Sequence, residues 1–571
     1  MAAWLVAGAA LCASAVIATD IVRTPREGAG ERLVASLAAA TGLRIETNGP
    51  GEIDLFPTPH IRMPGVSLAR AGEAPFAAAR ELTGSLRIGA LLRGRIELGE
   101  ITLVQADVAL DRAPLAGALA GLRRSGGGRT PLEIRLTDAR LTVAGRAIDH
   151  VQAGLAMTRE GGPLSVSGFG RYSGQPVEAS FQLTDPAAFG RGERAPFRAR
   201  VEGGGARLMF DGEAIDQNGP RLVGELSARA TALGDTLAWL GLGRAAGAGP
   251  RFSLSLAGRG SIGRDGLAVS NAELDLSGDS FMGAGRLTLT SDGRPSVEAT
   301  VDADALDVRP YAAVLAPQIL QEGGWSTAAI DLGGLKGWTL DLRLSAASLR
   351  FGRLLLGQTA ATVAVGRGGL DLSIGEAEAY GGTLGGRLSL EPDQRGVKMS
   401  LEGGVTDIAF DEALAAVVKH PQMSGTLTGE LAVAGAGGSV ADFVADLSGK
   451  ASGKLVDGAL EKIGRSRTLA LAGLGRRMDV STADAAFRIE KGIARTSDIS
   501  IVGDDARFAL AGAASLVDRD VKLKGVVRPT AGGWAVPVTL EGPLSSPKLR
   551  PDLGDYVPRG EARRATTPAE H

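Results

Sequence analysis

A mainly β fold, a long twisted antiparallel sheet curled into an elongated groove, is what this sequence predicts. Three observations carry that prediction. Apolar and polar residues alternate with a period of two over most of the chain, glycines close the alternating runs, and helical periods are few. The run Arg95-Ile-Glu-Leu-Gly-Glu-Ile-Thr-Leu-Val104 displays the pattern. Ile96 and Leu98, then Ile101 and Leu103, share one side if Gly99 forms a bulge, while Glu97, Glu100 and Thr102 take the other. Successive side chains point to opposite faces of a pleated strand, so each strand carries one apolar and one polar face. With few helices to lie over the apolar faces, what covers them is the functional question.

The elements follow in order. Ala2–Thr19 is an uncharged, mostly apolar run, about 27 Å long as a helix and just sufficient to span a bilayer core. A cleaved signal peptide ending near Ala13-Ser14-Ala15 is the competing reading. Both send the body out of the cytoplasm. Arg23 and Arg26 follow the run and no Lys or Arg precedes it, which opposes the positive-inside rule, but long domains translocate largely regardless of charge. Gly30–Thr41 reads as a short amphipathic helix stopped by Gly42. Strands are expected over Ile61–Leu68 and Gly84–Asp111, a helical or irregular excursion over Pro114–Arg124, and a flexible joint at Ser125–Gly128. Strands resume from Pro131 to Thr231, Leu233–Leu242 is a helical interlude, and Ala245–Pro250 is a lobe boundary.

From Phe252 the pattern recurs. Gly285-Arg-Leu-Thr-Leu289 and Gly386-Arg-Leu-Ser-Leu390 are near copies, echoed by Gly512-Ala-Ala-Ser-Leu516. Such degenerate repeats suggest a sheet grown by adding similar units. Helical breaks are expected at Val308–Gln321, Phe410–Lys419 and Leu460–Arg477, and the charged tail Arg559–His571 reads as disordered. The resulting division is an anchor over 1–20, a β-rich region over 21–245, a β-groove region over 250–555 and a tail over 556–571.

Composition narrows the function. The 571 residues exceed the size of a single core, which stops growing at about 250–300 residues. Lys+Arg 62 against Asp+Glu 64 gives no basic excess for nucleic acid, and 4% aromatics gives no stacking platform. The single cysteine, Cys12, lies in the apolar N-terminal run, so no intrachain disulfide forms and no thiol remains elsewhere for chemistry. Leu11 precedes it where a lipoprotein cysteine wants a small residue, so Cys12 reads as a small hydrophobe.

Three motifs invite and fail a catalytic reading. Gly258-Arg-Gly-Ser-Ile-Gly263 matches a dinucleotide fingerprint by letter, yet Leu267-Ala-Val-Ser continues a strand pattern where a helix is required, so a hairpin turn fits better. Ser280 in Gly278-Asp-Ser reads as a turn hydroxyl, since His60, His150, His420 and His571 stand in no recognisable partner motif. Asp302, Asp304 and Asp307 lack the glycine and glutamate of a calcium loop and read as strand-end and helix-cap carboxylates. No catalytic, cofactor or metal residue is assigned, and no enzyme activity is expected.

Glu52-Ile-Asp-Leu-Phe-Pro-Thr-Pro-His-Ile-Arg-Met-Pro-Gly-Val-Ser-Leu68, with Phe56, Pro57 and Pro59 as its marks, resembles the AsmA family of bacterial envelope proteins. Ala90-Leu-Leu-Arg-Gly-Arg-Ile-Glu-Leu98 follows in the same order. Farther on, Ala379-Tyr380-Gly381-Gly382, Ser424-Gly-Thr-Leu-Thr-Gly429, Val456-Asp-Gly-Ala-Leu460 and Val536-Pro-Val with Glu541-Gly-Pro-Leu-Ser-Ser-Pro547 resemble the family's C-terminal region. The resemblance implies a single-pass inner-membrane anchor, a periplasmic β-rich body, and a role in outer-membrane homeostasis without catalysis or cofactor. Larger relatives are thought to carry phospholipid along a hydrophobic groove.

Physical reasoning meets that implication. A growing sheet twists with a fixed hand and curls into a gutter. Removing a lipid with two 16-carbon chains from a bilayer costs on the order of 25 kcal/mol at about 0.8 per methylene. A continuous apolar lining is needed to offset it, with Ile96, Leu98, Ile101, Leu103, Leu388 and Leu390 as candidate lining residues. Phospholipid and the inner membrane are the expected partners, with envelope proteins a further class. The alternative is a non-catalytic scaffold assisting outer-membrane protein assembly, its apolar faces mated with each other and no groove between.

Overall fold

The computed structural model of the chain describes Val34 and residues 44–552, less 50, 55, 70–73, 92–97, 110–131, 144, 158–161, 218, 243–250, 292, 312–319, 322–323, 416–422, 462–476, 531 and 533–534. It divides into two compact units, Met1–Val301 and Asp302–His571. The division falls at Val301/Asp302, and not at the expected boundary of 245–250. The strands on either side of that interlude pair directly with each other, Leu222 facing Ile262 and Ala230 facing Leu254.

The first unit holds β1 (Arg44–Thr47), β2 (Glu52–Asp54), β3 (His60–Ala69), β4 (Ala77–Leu86), β5 (Leu98–Ala109), β6 (Leu132–Val143), β7 (Arg146–Met157) and β8 (Leu164–Tyr172). It continues through β9 (Gln175–Leu183), β10 (Ala195–Gly203), β11 (Ala206–Asp216), β12 (Pro220–Ala230), β13 (Leu254–Gly263), β14 (Gly266–Leu276) and β15 (Asp279–Leu289). Register builds one apolar face from them. Met63 faces Leu82, then Leu103, Leu136, Ala153, Gly168, Ala179, Val201, Leu208, Ala228, Leu256, Leu274 and Phe281, strand by strand. A one-residue slip anywhere would turn this row toward water, which is why alternation specifies the register so firmly.

Over β3–β12 that face is covered. Ile61 and Val108 are 1% exposed, and they share a buried cluster with Phe181, Phe197 and Phe210. Val34, the described residue of the expected Gly30–Thr41 helix, is helical and packs on the same cluster. The helical interlude forms as expected, as a helix over Leu233–Trp239. Its Trp239 packs edge-on to Tyr172 at 5.2 Å and donates its indole N–H to the Tyr172 carbonyl at 2.8 Å.

One pair departs from the antiparallel expectation: β5 and β6 run parallel, Glu100 facing Glu133 and Ala109 facing Thr142. Parallel neighbours need a crossover of a dozen or more residues, and 110–131 is long enough to make it. The alternation reads identically in either direction, so strand polarity is not written in it.

Bulges keep the apolar face intact where alternation breaks. Leu98 faces Leu86 and Ile101 faces Gly84, so β5 carries one extra residue at Gly99–Glu100, the bulge expected from the sequence. Further along, Gln105, Asp138 and His150, on adjacent strands, all adopt left-handed φ near +50°, Asp138 and His150 beside bulges of their strands. Their side chains are linked, with His150 Nδ1 2.8 Å from Asp138 Oδ1 and Gln105 Nε2 donating to Asp138 Oδ2 at 3.4 Å. Bulges bend a strand and increase its twist, which curls the sheet.

Strand β16 (Pro295–Asp307) carries the chain across the division, and the two-residue strands β17 (Leu320–Gln321) and β18 (Gly324–Trp325) pair in the second unit. Next come β19 (Thr339–Phe351), β20 (Leu354–Leu356), β21 (Thr359–Gly366), β22 (Gly369–Ala379), β23 (Gly382–Asp393), β24 (Gly396–Ala409), β25 (Met423–Gly437) and β26 (Ser448–Glu461). β27 (Arg477–Glu490), β28 (Ile493–Gly503), β29 (Ala506–Ser515), β30 (Asp520–Pro529), β31 (Val536–Pro543) and β32 (Lys548–Pro551) complete it. A registered apolar row again runs through them, from Leu342 to Val363, Leu372, Leu388, Leu401, Val433, Gly449, Ile489, Ala494, Ala514 and Val521.

Of the expected breaks, Phe410–Lys419 forms a helix over Phe410–Ala415, and Val308–Gln321 is helical at its described start, Arg309–Tyr311. In Leu460–Arg477 the described ends, Leu460, Glu461 and Arg477, are strand. The apolar run Ala2–Thr19, the excursion Pro114–Arg124, the joint Ser125–Gly128 and the tail Arg559–His571 lie outside the described residues. Among the described residues no helix is long and apolar enough to cross a membrane.

Candidate functional site: an apolar trough in the second unit

Strands β22–β26 present a face that is apolar but not filled. Three registered rows make it. The first is Leu372, Leu388, Leu401 and Val433. The second is Ile374, Gly386, Gly403, Leu431 and Ala451. The third is Leu384, Val405, Gly429 and Gly453. Glycines stand inside the second row, at Gly386 and Gly403, and end the third, at Gly429 and Gly453, so the floor has no side chains where the first row carries leucines. A cavity of about 490 Å3 results, bounded by Leu372, Ile374, Leu384, Leu388, Leu401, Val405, Leu427 and Leu431.

Close strand contact keeps most of that floor glycine. A Cβ at Gly386 would stand 2.7 Å from the Glu402 carbonyl oxygen, one at Gly403 2.9 Å from that of Gly385, and one at Gly429 2.8 Å from that of Ser452. Gly453 differs, because its Cβ would meet only Leu427 Cδ1 at 3.4 Å and Thr428 O at 3.9 Å.

The walls are half exposed, and Leu401 is 38% exposed. The same face is closed farther along the unit, where Val527, Val536 and Val538 are at most 1% exposed and pack with Phe508, Leu510, Met478 and Val480. A short helix over Val440–Asp446 joins β25 to β26 and adds Val440, Phe443 and Val444 to that cluster. Ser439 caps its start, accepting from the Asp442 N–H at 3.2 Å. At its end Asp446 accepts from the Ala436 N–H at 2.9 Å and from Arg395 Nη1 at 3.1 Å. The Ala436 hydrogen bond first, then Arg395, holds the Asp446 carboxyl below its ordinary range.

On the opposite face of these strands the registered rows are polar, with Ser373 facing Arg387 and Arg387 facing Glu402. One side of this part of the unit is thus wet and the other oily, and the oily side has room. An extended apolar chain fits such a place; a polar reactant does not. Among the described residues no cluster of His, Cys, Asp or Glu has metal-binding geometry.

The structure separates the sequence-derived candidates. Leu388 is in the trough wall, and Leu390 is buried at its end with Leu332 and Val397. Ile101 and Leu103 belong to the covered cluster of the first unit, at 7% and 6% exposure. Leu98 pairs with Leu86 through its backbone, and Ile96 lies outside the described residues. Phe56, Pro57 and Pro59 form the loop between β2 and β3, with Phe56 exposed. Tyr380 and Gly381 make the turn from β22 to β23 with φ of +47° and +82°, and Gly382 begins β23. The glycines of the floor escape sequence reasoning because glycine reads first as a turn residue. The usable signal is Leu384-Gly-Gly-Arg-Leu388 opposite Leu401-Glu-Gly-Gly-Val405, glycine pairs inside alternating runs.

The motifs with enzyme-like spelling are also placed. Gly258–Gly263 lies within β13 itself, with the turn after it and β14 next, so no helix N-terminus follows the glycines. Ser280 is in β15, facing Asp275. Asp302 and Asp304 are strand residues of β16, and Asp307 at its end accepts from the Arg309 N–H at 3.0 Å and pairs with the Arg309 guanidinium.

A search of curated proteins and a search of solved structures return no match to the chain. The family model described as AsmA family matches residues 289–499, a span that contains every strand of the trough. Over that stretch, less than half of its length, the chain is similar to the AsmA family.

Proposed function

We propose that the chain is an inner-membrane-anchored periplasmic protein of outer-membrane homeostasis. In this reading the second unit holds phospholipid acyl chains in its trough and serves their transfer, without catalysis or cofactor. The observation that supports it is the unfilled apolar face of β22–β26. Five strands at about 4.8 Å spacing give the trough a length of about 19 Å. One leaflet contributes about 15 Å of a 30 Å hydrocarbon core, so a single acyl chain matches the length. Its cavity of about 490 Å3 is in the range of ligand clefts, roughly 300–1,000 Å3.

Burying one 16-carbon chain returns about 12 kcal/mol at about 0.8 per methylene, near half of what extraction of a two-chain lipid costs. The remainder has to come from a second chain's cover or from a neighbouring membrane. Similarity to the AsmA family over residues 289–499 suits an envelope role, and the two faces of the sheet suit a carrier in water. The covered apolar face of the first unit favours a scaffolding part for that unit alone, since its depression of about 700 Å3 is lined by Arg198, Arg200, Asp211 and Glu225 as well as by apolar residues.

The test is phospholipid co-purifying with the full chain, quantified by mass spectrometry, with Leu388→Asp as the variant. Leu388 is half buried on the trough wall, so the charge is expected to be tolerated by the fold and to expel the acyl chain. A folded Leu388→Asp protein with undiminished phospholipid would sink the proposal, as would a wild-type protein that carries none.

A further inference from the structure

The polar face of the second unit carries a feature that the trough does not use. Lys450 on β26 faces Arg488 on β27, and Arg488 faces Arg495 on β28. Beyond them on the same row stand Ala432 on β25 and Ala513 on β29. Three cations thus lie side by side, flanked by uncharged residues. All three are exposed, and no ion pair among the described residues engages any of them. Like charges directly opposite each other on adjacent strands destabilise a sheet.

The first unit solves the same arrangement differently. There Arg198 faces Asp211 across β10 and β11 with Nε 3.1 Å from Oδ2, and Glu225 faces Arg259 across β12 and β13. Arginines also face each other as pairs, Arg207 with Arg229 and Arg507 with Arg528, but among the described residues three cations in succession stand at β26–β28. By side-chain alternation their row shares a strand face with Glu402, Glu430 and Ser452, which, with Leu431, Ala451 and Phe487 of the other face, border a surface depression of about 700 Å3.

We infer that Lys450, Arg488 and Arg495 form a binding site for a phosphate-bearing group. Two guanidinium forks and an ammonium supply charge-assisted donors for tetrahedral oxygens, and a bound anion relieves the repulsion along the row. Phosphate is favoured over carboxylate because two forks and a point charge approach from three strands and need more than two acceptor oxygens. The site lies on the face opposite the trough and is independent of the proposed function.

Calorimetric titration of the full chain with inorganic phosphate, and flotation with vesicles of phosphatidylcholine with or without phosphatidylglycerol, test it and separate the two sources of phosphate. The wild type is expected to bind one of these probes, with affinity falling as salt rises. Phosphate binding alone assigns a soluble phosphate, and phosphatidylglycerol-dependent flotation alone assigns a lipid headgroup. The K450Q/R488Q/R495Q variant is expected to lose at least tenfold in affinity with an unchanged or raised unfolding temperature. Because that triple change alters much charge at once, Arg495→Lys is the second variant and should lose less than Arg495→Gln, retaining charge without the fork. Control substitution of Arg198 should leave binding intact. Equal binding by wild type and triple variant, or no binding of either probe by the wild type, overturns the inference.

Discussion

Replacing Gly453 by valine should fill the trough while leaving the strand beneath it sound. Gly453 lies in the middle of β26 and its backbone is not in the left-handed region, so a side chain costs no φ strain. The space above it is open, with Leu427 Cδ1 at ordinary contact distance of 3.4 Å from an added Cβ. Glycine weakens a strand interior by roughly 0.5–1 kcal/mol, so Gly453→Val should raise stability slightly. Three added carbons remove the room for about three methylenes of ligand. At about 0.8 kcal/mol each this forfeits about 2.4 kcal/mol of burial, on the order of fiftyfold in affinity. The assay is displacement of a fluorescent acyl probe from the full chain, read beside its thermal unfolding. A Gly453→Val protein that unfolds at or above the wild-type temperature yet binds the probe unchanged would refute the reasoning.

Other expectations follow from the packing. Phe197 is 1% exposed and its ring centroid lies 6.0 Å from that of Phe210, so Phe197→Ala should cost about 3–5 kcal/mol in denaturant unfolding. A loss under 1 kcal/mol would contradict the covered face of the first unit. An added Cβ at Gly525 presses on the Ala509 carbonyl oxygen of the neighbouring strand, so Gly525→Ala should destabilise by about 1–3 kcal/mol, unlike Gly453→Ala. Equal unfolding midpoints for the two alanine variants would count against the register. Asp446, held below its ordinary value of 3.8 by the Ala436 N–H and Arg395, contributes stability that is complete above that value. That contribution is lost as pH falls through the lowered pKa. Unfolding midpoints followed from pH 6 down to pH 2 should therefore fall less steeply for Asp446→Asn, and parallel curves would refute the assignment.

Much of the fold is legible in the sequence because alternation is a local signal that a sheet enforces globally. Gly285-Arg-Leu-Thr-Leu289 and Gly386-Arg-Leu-Ser-Leu390 lie in β15 and β23, each with Leu287 or Leu388 on the apolar face and its arginine exposed, though Leu289 ends its strand exposed where Leu390 is buried. The Gly99 bulge follows from two alternating runs that share a face only with one extra residue between them. Strand polarity does not follow, since Ile101 faces Ile134 as readily in parallel as in antiparallel register. Nor does cover. Leu103 and Leu388 have equivalent sequence surroundings, yet one is buried in a closed cluster and the other walls an open trough. The difference rests on what lies across the face in space, and at β22–β26 on glycines whose role is to be empty.

Photocrosslinking at two consecutive residues of β24 tests the central claim most directly. Leu401 is on the trough side and Glu402, its neighbour, faces Arg387 on the polar side. With a photoreactive residue at each position of the full chain in cells, phospholipid adducts are predicted at 401 and not at 402. No adduct at 401, or equal adducts at both, would contradict the account.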